Sequence, residues 1–291
     1  MKLVTFRRGG EHEVGIADFD RERLWPVAGT VEPPLAGMLD LIRRFDEVGS
    51  ALRPQGDGIP LTGVQLLAPL PRPPRNVFCV GKNYHEHARE FATSGFDATA
   101  KEVVPEAPVV FSKPPSAVIG PGVPIPSHLD PTNSVDYEGE LGVVIGRGGR
   151  GIRRSEALAH VFGYTIVNDV TARHLQQRHR QWILGKGIDG FCPMGPAIVT
   201  ADEIPDPTRL RVRTWINDEL RQDESVAALI FDIPTLIETI SAGITLEPGD
   251  VIATGTPYGV GIGFSPPKFL KPGDTVRVEI SGIGVLENPV A

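Results

Sequence analysis

The stretch 135–146, VDYEGELGVVIG, sets two carboxylates one residue apart inside an apolar run, so a fold that buries the run has to deal with both. Side chains alternate faces along an extended strand, which predicts Glu138 and Glu140, with Asp136 before them, on one face and Tyr137 and Leu141 on the other. Neighbouring carboxylates that face into a protein repel each other and lose hydration unless a cation, a proton or an arginine neutralises them. A hard divalent ion such as Mg2+ or Mn2+ does this best, because it prefers oxygen ligands. A solvated edge strand with an acidic outer face has the same spacing, so the motif alone leaves both readings open.

Composition limits the setting. With 291 residues and 41% hydrophobic content the chain can build one large domain, or a small domain beside a main one. Its 33 glycines and 28 prolines favour many strands and tight turns over a helical bundle. The net charge of -7 and the lack of any Lys/Arg-rich block argue against a phosphate-binding surface, so nucleic acid is not an expected partner. No uninterrupted apolar run reaches the roughly 18 residues of a spanning helix. The opening MKLVTFRRGGEHE has neither the apolar stretch nor the cleavage site of a signal peptide, so the expectation is a cytoplasmic protein with no membrane partner. Cys79 and Cys192 sit in apolar contexts without a C-x-x-C partner, which predicts buried, reduced thiols.

The chain divides by its prolines. Residues 1–70 read as a small α/β unit: MKLVTFRR and EVGIADF form a hairpin about Gly9-Gly10, and 36–48 carries Leu39, Ile42 and Phe45 at helical spacing. Residues 68–75, APLPRPPR, follow as a linker that neither helix nor central strand can cross. The second domain is expected over 76–291.

Several stretches of that domain carry candidate chemistry. After a short strand at 76–80, GKNYHEHAREF turns helical and places His87 and Glu90 three apart on one face. A carboxylate that orients a histidine makes a general base, although these residues also suit a solvated helix face. Residues 92–106 are polar and aperiodic, as in a loop covering a site or in plain surface loop. Lys113, before two prolines, sits in extended backbone and could aim at an anion, but a surface lysine is the default. The strand 161–167 runs into Asn168-Asp169, where either residue is expected to cap a helix whose one face carries Asp169, Arg173 and Gln176. That face is either a common surface salt bridge or a third metal carboxylate beside a carboxylate-gripping Arg173 and Gln176. Lys186 between two glycines suits a buried, aimed ammonium or a surface turn. Asp232 and Pro234 open a helix whose apolar face is Leu236, Ile237 and Ile240. The loop TGTPYGVG lacks a Walker lysine, though its amides and Thr256 could hold a carboxylate.

Taken in order, GKNYxxHxxE, FxKPPSA, DYEGELGVVIG, GYTIVNDVTAR, WxLGKGxDG, FDIPTLI, GDVIATGTPxGVG and KPGDTVxVEIxGIGxLxNPV resemble the fumarylacetoacetate hydrolase family from about Asn76 to the end of the chain. The resemblance implies an α+β, β-rich fold with a mixed β-roll or β-sandwich core, a small appended N-terminal domain and a homodimer. It implies Mg2+ or Mn2+ on Glu138, Glu140 and Asp169, His87 and Glu90 as the water-activating pair, and Lys186 stabilising developing negative charge. Arg173, Gln176 and Thr256 would contact a small 2-oxo or dicarbonyl acid. The implied reaction is hydrolysis of a carbon–carbon bond in an acylpyruvate of the fumarylpyruvate type, in aromatic or sugar-acid catabolism. The alternatives are an oxaloacetate-type decarboxylase, a 2-hydroxyhepta-2,4-diene-1,7-dioate isomerase or tautomerase, and a non-catalytic binding protein.

Overall fold

A computed structural model describes residues 1–97 and 103–291. Its framework is a large mixed sheet, strand-rich as expected, whose main path runs through ten strands. Cys192–Thr200, Val161–Asn168 and Gly139–Ile145 lie side by side at its centre, all antiparallel and all buried. Burial on both faces explains why these strands read as continuous apolar runs and not as clean alternation. On one flank Val251–Ala253 continues the sheet and pairs in parallel with Val77–Gly81, which pairs with Val109–Lys113.

The other flank is built from the N-terminal residues. Lys2–Arg8 pairs with Cys192–Thr200, and Glu11–Asp18, Arg23–Pro26 and Ile59–Pro60 extend the sheet outward. The helix Met38–Val48 packs beneath, with Phe45 edge-on to Phe162 at 4.9 Å. The 1–70 unit therefore shares a sheet and a hydrophobic cluster with 76–291, and is not attached through the proline linker alone.

A second sheet of four antiparallel strands, Glu219–Ser225, Arg211–Ile216, Thr275–Ile280 and Gly284–Pro289, lies across the first. Val212, Val278 and Ile280 from it share one apolar cluster with Leu141, Val143 and Ile166 from the large sheet. Contact between the sheets explains the glycine between the two glutamates. A Cβ at Gly139 would lie 2.3 Å from Thr214 Oγ1, so that face must stay bare while Glu138 and Glu140 turn the other way. The helix Ile233–Ser241 closes one end, with Asp232 accepting from the Thr235 amide as its N-cap. Among the described residues, no helix is long and apolar enough to cross a membrane.

Candidate active site

The central strands bring the acidic groups together. The register of Gly139–Ile145 against Val161–Asn168 pairs Gly139 with Asn168, so the residue after that strand, Asp169, comes alongside Glu138. Two bonds lock the junction: the Asp169 amide donates to the Glu138 carbonyl at 2.8 Å, and the Glu138 amide donates to Asn168 Oδ1 at 3.0 Å. One carboxylate oxygen from each of Glu138, Glu140 and Asp169 then lies within 4.8 Å of the others, and all three residues are buried.

Around this cup the charges interlock. Lys186 Nζ lies 2.7 Å from both Glu138 Oε2 and Asp169 Oδ2. Arg173 Nη2 is 2.7 Å from Glu138 Oε1, while its Nε donates to Asp136 Oδ2 at 2.8 Å. Lys113, fully buried, donates to Asp169 Oδ1 at 2.6 Å and to the Val170 carbonyl at 2.9 Å. Burial pushes the Glu138 carboxyl up, but Lys186 and Arg173 outweigh it and hold the group down to about 2. Glu140 goes the other way: burial, then the charges of Asp169 and Glu138, push it well above the usual carboxylate range. Its donor among the described residues is the Gly255 amide, at 2.8 Å. Among the described residues, Asp136, Glu138 and Asp169 are paired directly with Lys113, Arg173 and Lys186, and Glu140 has no such direct ion pair. A hard divalent cation fits this donor set, because three oxygens converge and its charge would favour the ionised form of Glu140 that burial and its neighbours disfavour.

His87 and Glu90 lie on the helix His85–Thr93, and the expected bond forms: His87 Nδ1 to Glu90 Oε2 is 3.0 Å. Glu90 is itself anchored, its Oε1 accepting from the Gly259 amide at 2.9 Å. His87 lines a small cavity together with Glu138, Glu140, Arg173, Gln176, Lys186 and Thr256, while Glu90 and Asp169 stand behind His87 and Lys186 as their direct partners. The cavity volume is about 10 Å³, room for about one water.

Several sequence expectations need correction. Asp136 does not share the cup. The strand Val135–Asp136 stops before Gly139–Ile145 begins, which breaks the alternation, and Asp136 turns to Arg173 and to the amides of Gly261 and Ile262. Neither Asn168 nor Asp169 caps a helix: Thr171–Ala172 forms a short strand first, and the helix is Arg173–His179. Arg173 and Gln176 do lie together on that helix, Nη1 to Oε1 at 3.2 Å. Lys113 is no surface lysine but a direct partner of Asp169, found only through a contact 56 residues away. Thr256 lines the cavity, yet its hydroxyl donates to the Gly139 carbonyl and accepts from Gln222 Nε2. Lys186 is buried at the end of the helix Ile183–Lys186. Gly185 permits that approach, because a Cβ there would lie 2.5 Å from the Gln176 amide nitrogen. Of the loop expected over 92–106, the part up to Asp97 packs on the Arg173–His179 helix, with Gln177 Nε2 donating to the Gly95 carbonyl at 2.7 Å, whereas 98–102 lie outside the described residues. Both cysteines are free and buried, as the sequence suggests.

Residues 76–291 match the family described as fumarylacetoacetate (FAA) hydrolase, C-terminal. The chain belongs to the fumarylacetoacetate hydrolase family. It is 51% identical over 245 residues to oxaloacetate tautomerase YisK of Bacillus subtilis (strain 168), which covers 84% of this chain and 77% of that protein. Among solved structures, the fumarylacetoacetate hydrolase of the psychrophile Exiguobacterium antarcticum superposes with a TM-score of 0.84 at 44% identity, covering 100% of this chain and 99% of that one. Maleylpyruvate hydrolase from Sphingobium sp. SYK-6, in complex with manganese(II) ion and pyruvate, superposes with a TM-score of 0.78 at 32% identity and the same coverage. The chain is therefore an α+β member of an enzyme family whose relatives include both an oxaloacetate tautomerase and a maleylpyruvate hydrolase.

Proposed function

We propose that the protein interconverts the keto and enol forms of a short 2-oxo dicarboxylic acid of the oxaloacetate type, with Mg2+ or Mn2+ as cofactor. The observation that carries this reading is that an oriented histidine lines one small cavity with Glu138 and Glu140, two carboxylates of the cup that Asp169 completes. The 51% identity to an oxaloacetate tautomerase supports the choice of reaction.

Glu90, accepting from Nδ1, keeps the imidazole proton on that nitrogen and leaves the Nε2 lone pair to act as base. Nε2 takes a proton from the carbon beside the ketone, and the electrons of that C–H bond form the enol double bond. The proton held on Nε2 is then delivered to the ketone oxygen, which becomes the enol oxygen and leaves His87 neutral; the reverse steps restore the keto acid. A divalent ion on Glu138, Glu140 and Asp169 would supply Lewis acidity toward the ketone oxygen. Lys186 and Arg173 contribute fixed positive charge at the cup, and its burial strengthens their effect on a growing oxyanion. The cavity has room for about one water, and a proton transfer between carbon and oxygen requires none.

Hydrolysis of an acylpyruvate is the second reading, favoured by room for one water in the cavity that His87 lines. There His87 would take a proton from water as the oxygen adds to the distal carbonyl, and the carbon–carbon bond would break to release pyruvate.

Relaxation of enol oxaloacetate, followed by its ultraviolet absorbance with Mn2+ and then with chelator, tests the first reading. Acceleration over buffer that disappears with chelator and in Asp169→Ala, with total oxaloacetate conserved, is the expected result. No acceleration, together with stoichiometric pyruvate from an acylpyruvate, would transfer the assignment to the hydrolase.

A further inference from the structure

We propose that Lys82 sets the substrate class by taking the far carboxylate of a dicarboxylic 2-oxo acid, in exchange for its present partner Asp97. The inference rests on the reading of the cavity as a 2-oxo acid site.

Lys82 follows the strand Val77–Gly81 and lines the same cavity as His87 and the cup. It is 4% exposed, and its Nζ lies 5.4 Å from the ring centroid of Phe91, another lining residue. Its φ of 55° is left-handed, a conformation that a lysine adopts only at a cost and one that concentrates at functional positions.

The other lining cations are already committed. Lys186 bridges Glu138 and Asp169, and Arg173 bridges Asp136 and Glu138, so an incoming carboxylate could capture either only by stripping charge compensation from the cup. Lys82 is different: its Nζ is 2.5 Å from Asp97 Oδ2, a residue outside the cup on the segment after the helix His85–Thr93. Among the described residues lining the cavity, it is the ammonium or guanidinium whose charge does not serve a cup carboxylate. A substrate whose 2-oxo acid end faces the cup carries its second carboxylate into surroundings that include Phe91 and Trp182. A carboxylate buried among such rings needs a cation, and Lys82 supplies it. A monocarboxylic 2-oxo acid would leave Lys82 on Asp97 and gain nothing from it.

Isothermal titration of Mn2+-loaded protein with 3,3-difluoro-oxaloacetate, which has no proton to lose, and with its 4-methyl ester separates binding from turnover. Wild type is expected to bind the diacid at least about tenfold more tightly than the ester, on the scale of one desolvated charge pair. Lys82→Met should erase that preference while ester binding holds, and Lys82→Arg should retain it. Asp97→Asn should also retain it, because the ammonium remains. Should the loss of the ammonium beside Asp97 prevent Lys82→Met from folding, the double variant Lys82→Met/Asp97→Asn removes both charges and should lose the preference in the same way. The proposal is overturned if Lys82→Met keeps the preference, or if Lys82→Met and Asp97→Asn weaken both ligands alike, as a merely structural ion pair would. Wild type that binds neither ligand would overturn the 2-oxo acid reading, and this inference with it. Wild type that binds both equally would overturn only the role of Lys82.

Discussion

Lys113→Met is the perturbation that most directly tests the charge balance of the cup. The ammonium has no solvent contact, and its two bonds go to Asp169 Oδ1 at 2.6 Å and to the Val170 carbonyl at 2.9 Å. Methionine is close in length and fills the same space, so the packing change is small and the loss is electrostatic. The cost approaches that of breaking a buried pair, about 3–5 kcal/mol, because Asp169 is then left with Lys186, which it shares with Glu138, and the cup loses one of its cations. A chain of 291 residues unfolds with an entropy of about 0.6 kcal/mol per degree. The expected loss is then about 5–8 °C in Tm, read by calorimetry in chelator. Saturating Mn2+ should shrink the gap, because a cation on Asp169 replaces part of what Lys113 supplied. A variant within about 2 °C of wild type in chelator would refute the claim that Lys113 neutralises Asp169.

Three further outcomes follow from single contacts. In Gly263→Ala the new Cβ would lie 1.8 Å from Glu90 Oε1, driving the carboxylate off both the Gly259 amide and His87; kcat should fall about 10–100-fold with KM little changed, and steady-state kinetics with normal kcat would rule out a need for the oriented pair. Asp232→Ala removes the N-cap of Ile233–Ser241 and should cost about 1 kcal/mol by denaturant titration, with activity per folded molecule unchanged. Burial pushes the Cys192 thiol up to about 12 despite nearby Lys113, and burial raises Cys79 as well. Above the ordinary thiol value of 9.0 the unfolded chain releases protons that the native chain retains, so stability present below that pH should decline by about 1.4 kcal/mol per unit for each thiol. Denaturant titrations from pH 8 to 10.5 should show less decline in Cys192→Ala, and an identical slope would refute the assignment.

Local periodicity made much of the site readable. The i, i+3 spacing of a helix was enough to pair His87 with Glu90, and Glu138 and Glu140 do converge as expected, although Glu138 lies just before the strand Gly139–Ile145 begins. The pleat argument failed at Asp136 because it assumes an unbroken strand, and nothing local announces the break at Tyr137-Glu138. The helix expected from Asp169 failed in a related way. Helical spacing of Asp169, Arg173 and Gln176 does not require a helix across all three, and Thr171–Ala172 is drawn into a strand by its partner Val135–Asp136.

By itself, then, the sequence determined which residue types occur at strand and helix spacing, and the ordered motifs that mark the family over 76–291. The tertiary structure alone decided which groups meet. Asp169 joins Glu138 because two strands pair Gly139 with Asn168; Lys113 reaches Asp169 across 56 residues; the N-terminal strands become part of the main sheet because Lys2–Arg8 pairs with Cys192–Thr200. Spacing along one element follows from backbone geometry, whereas contact between elements depends on register and packing that emerge only when the whole core is assembled.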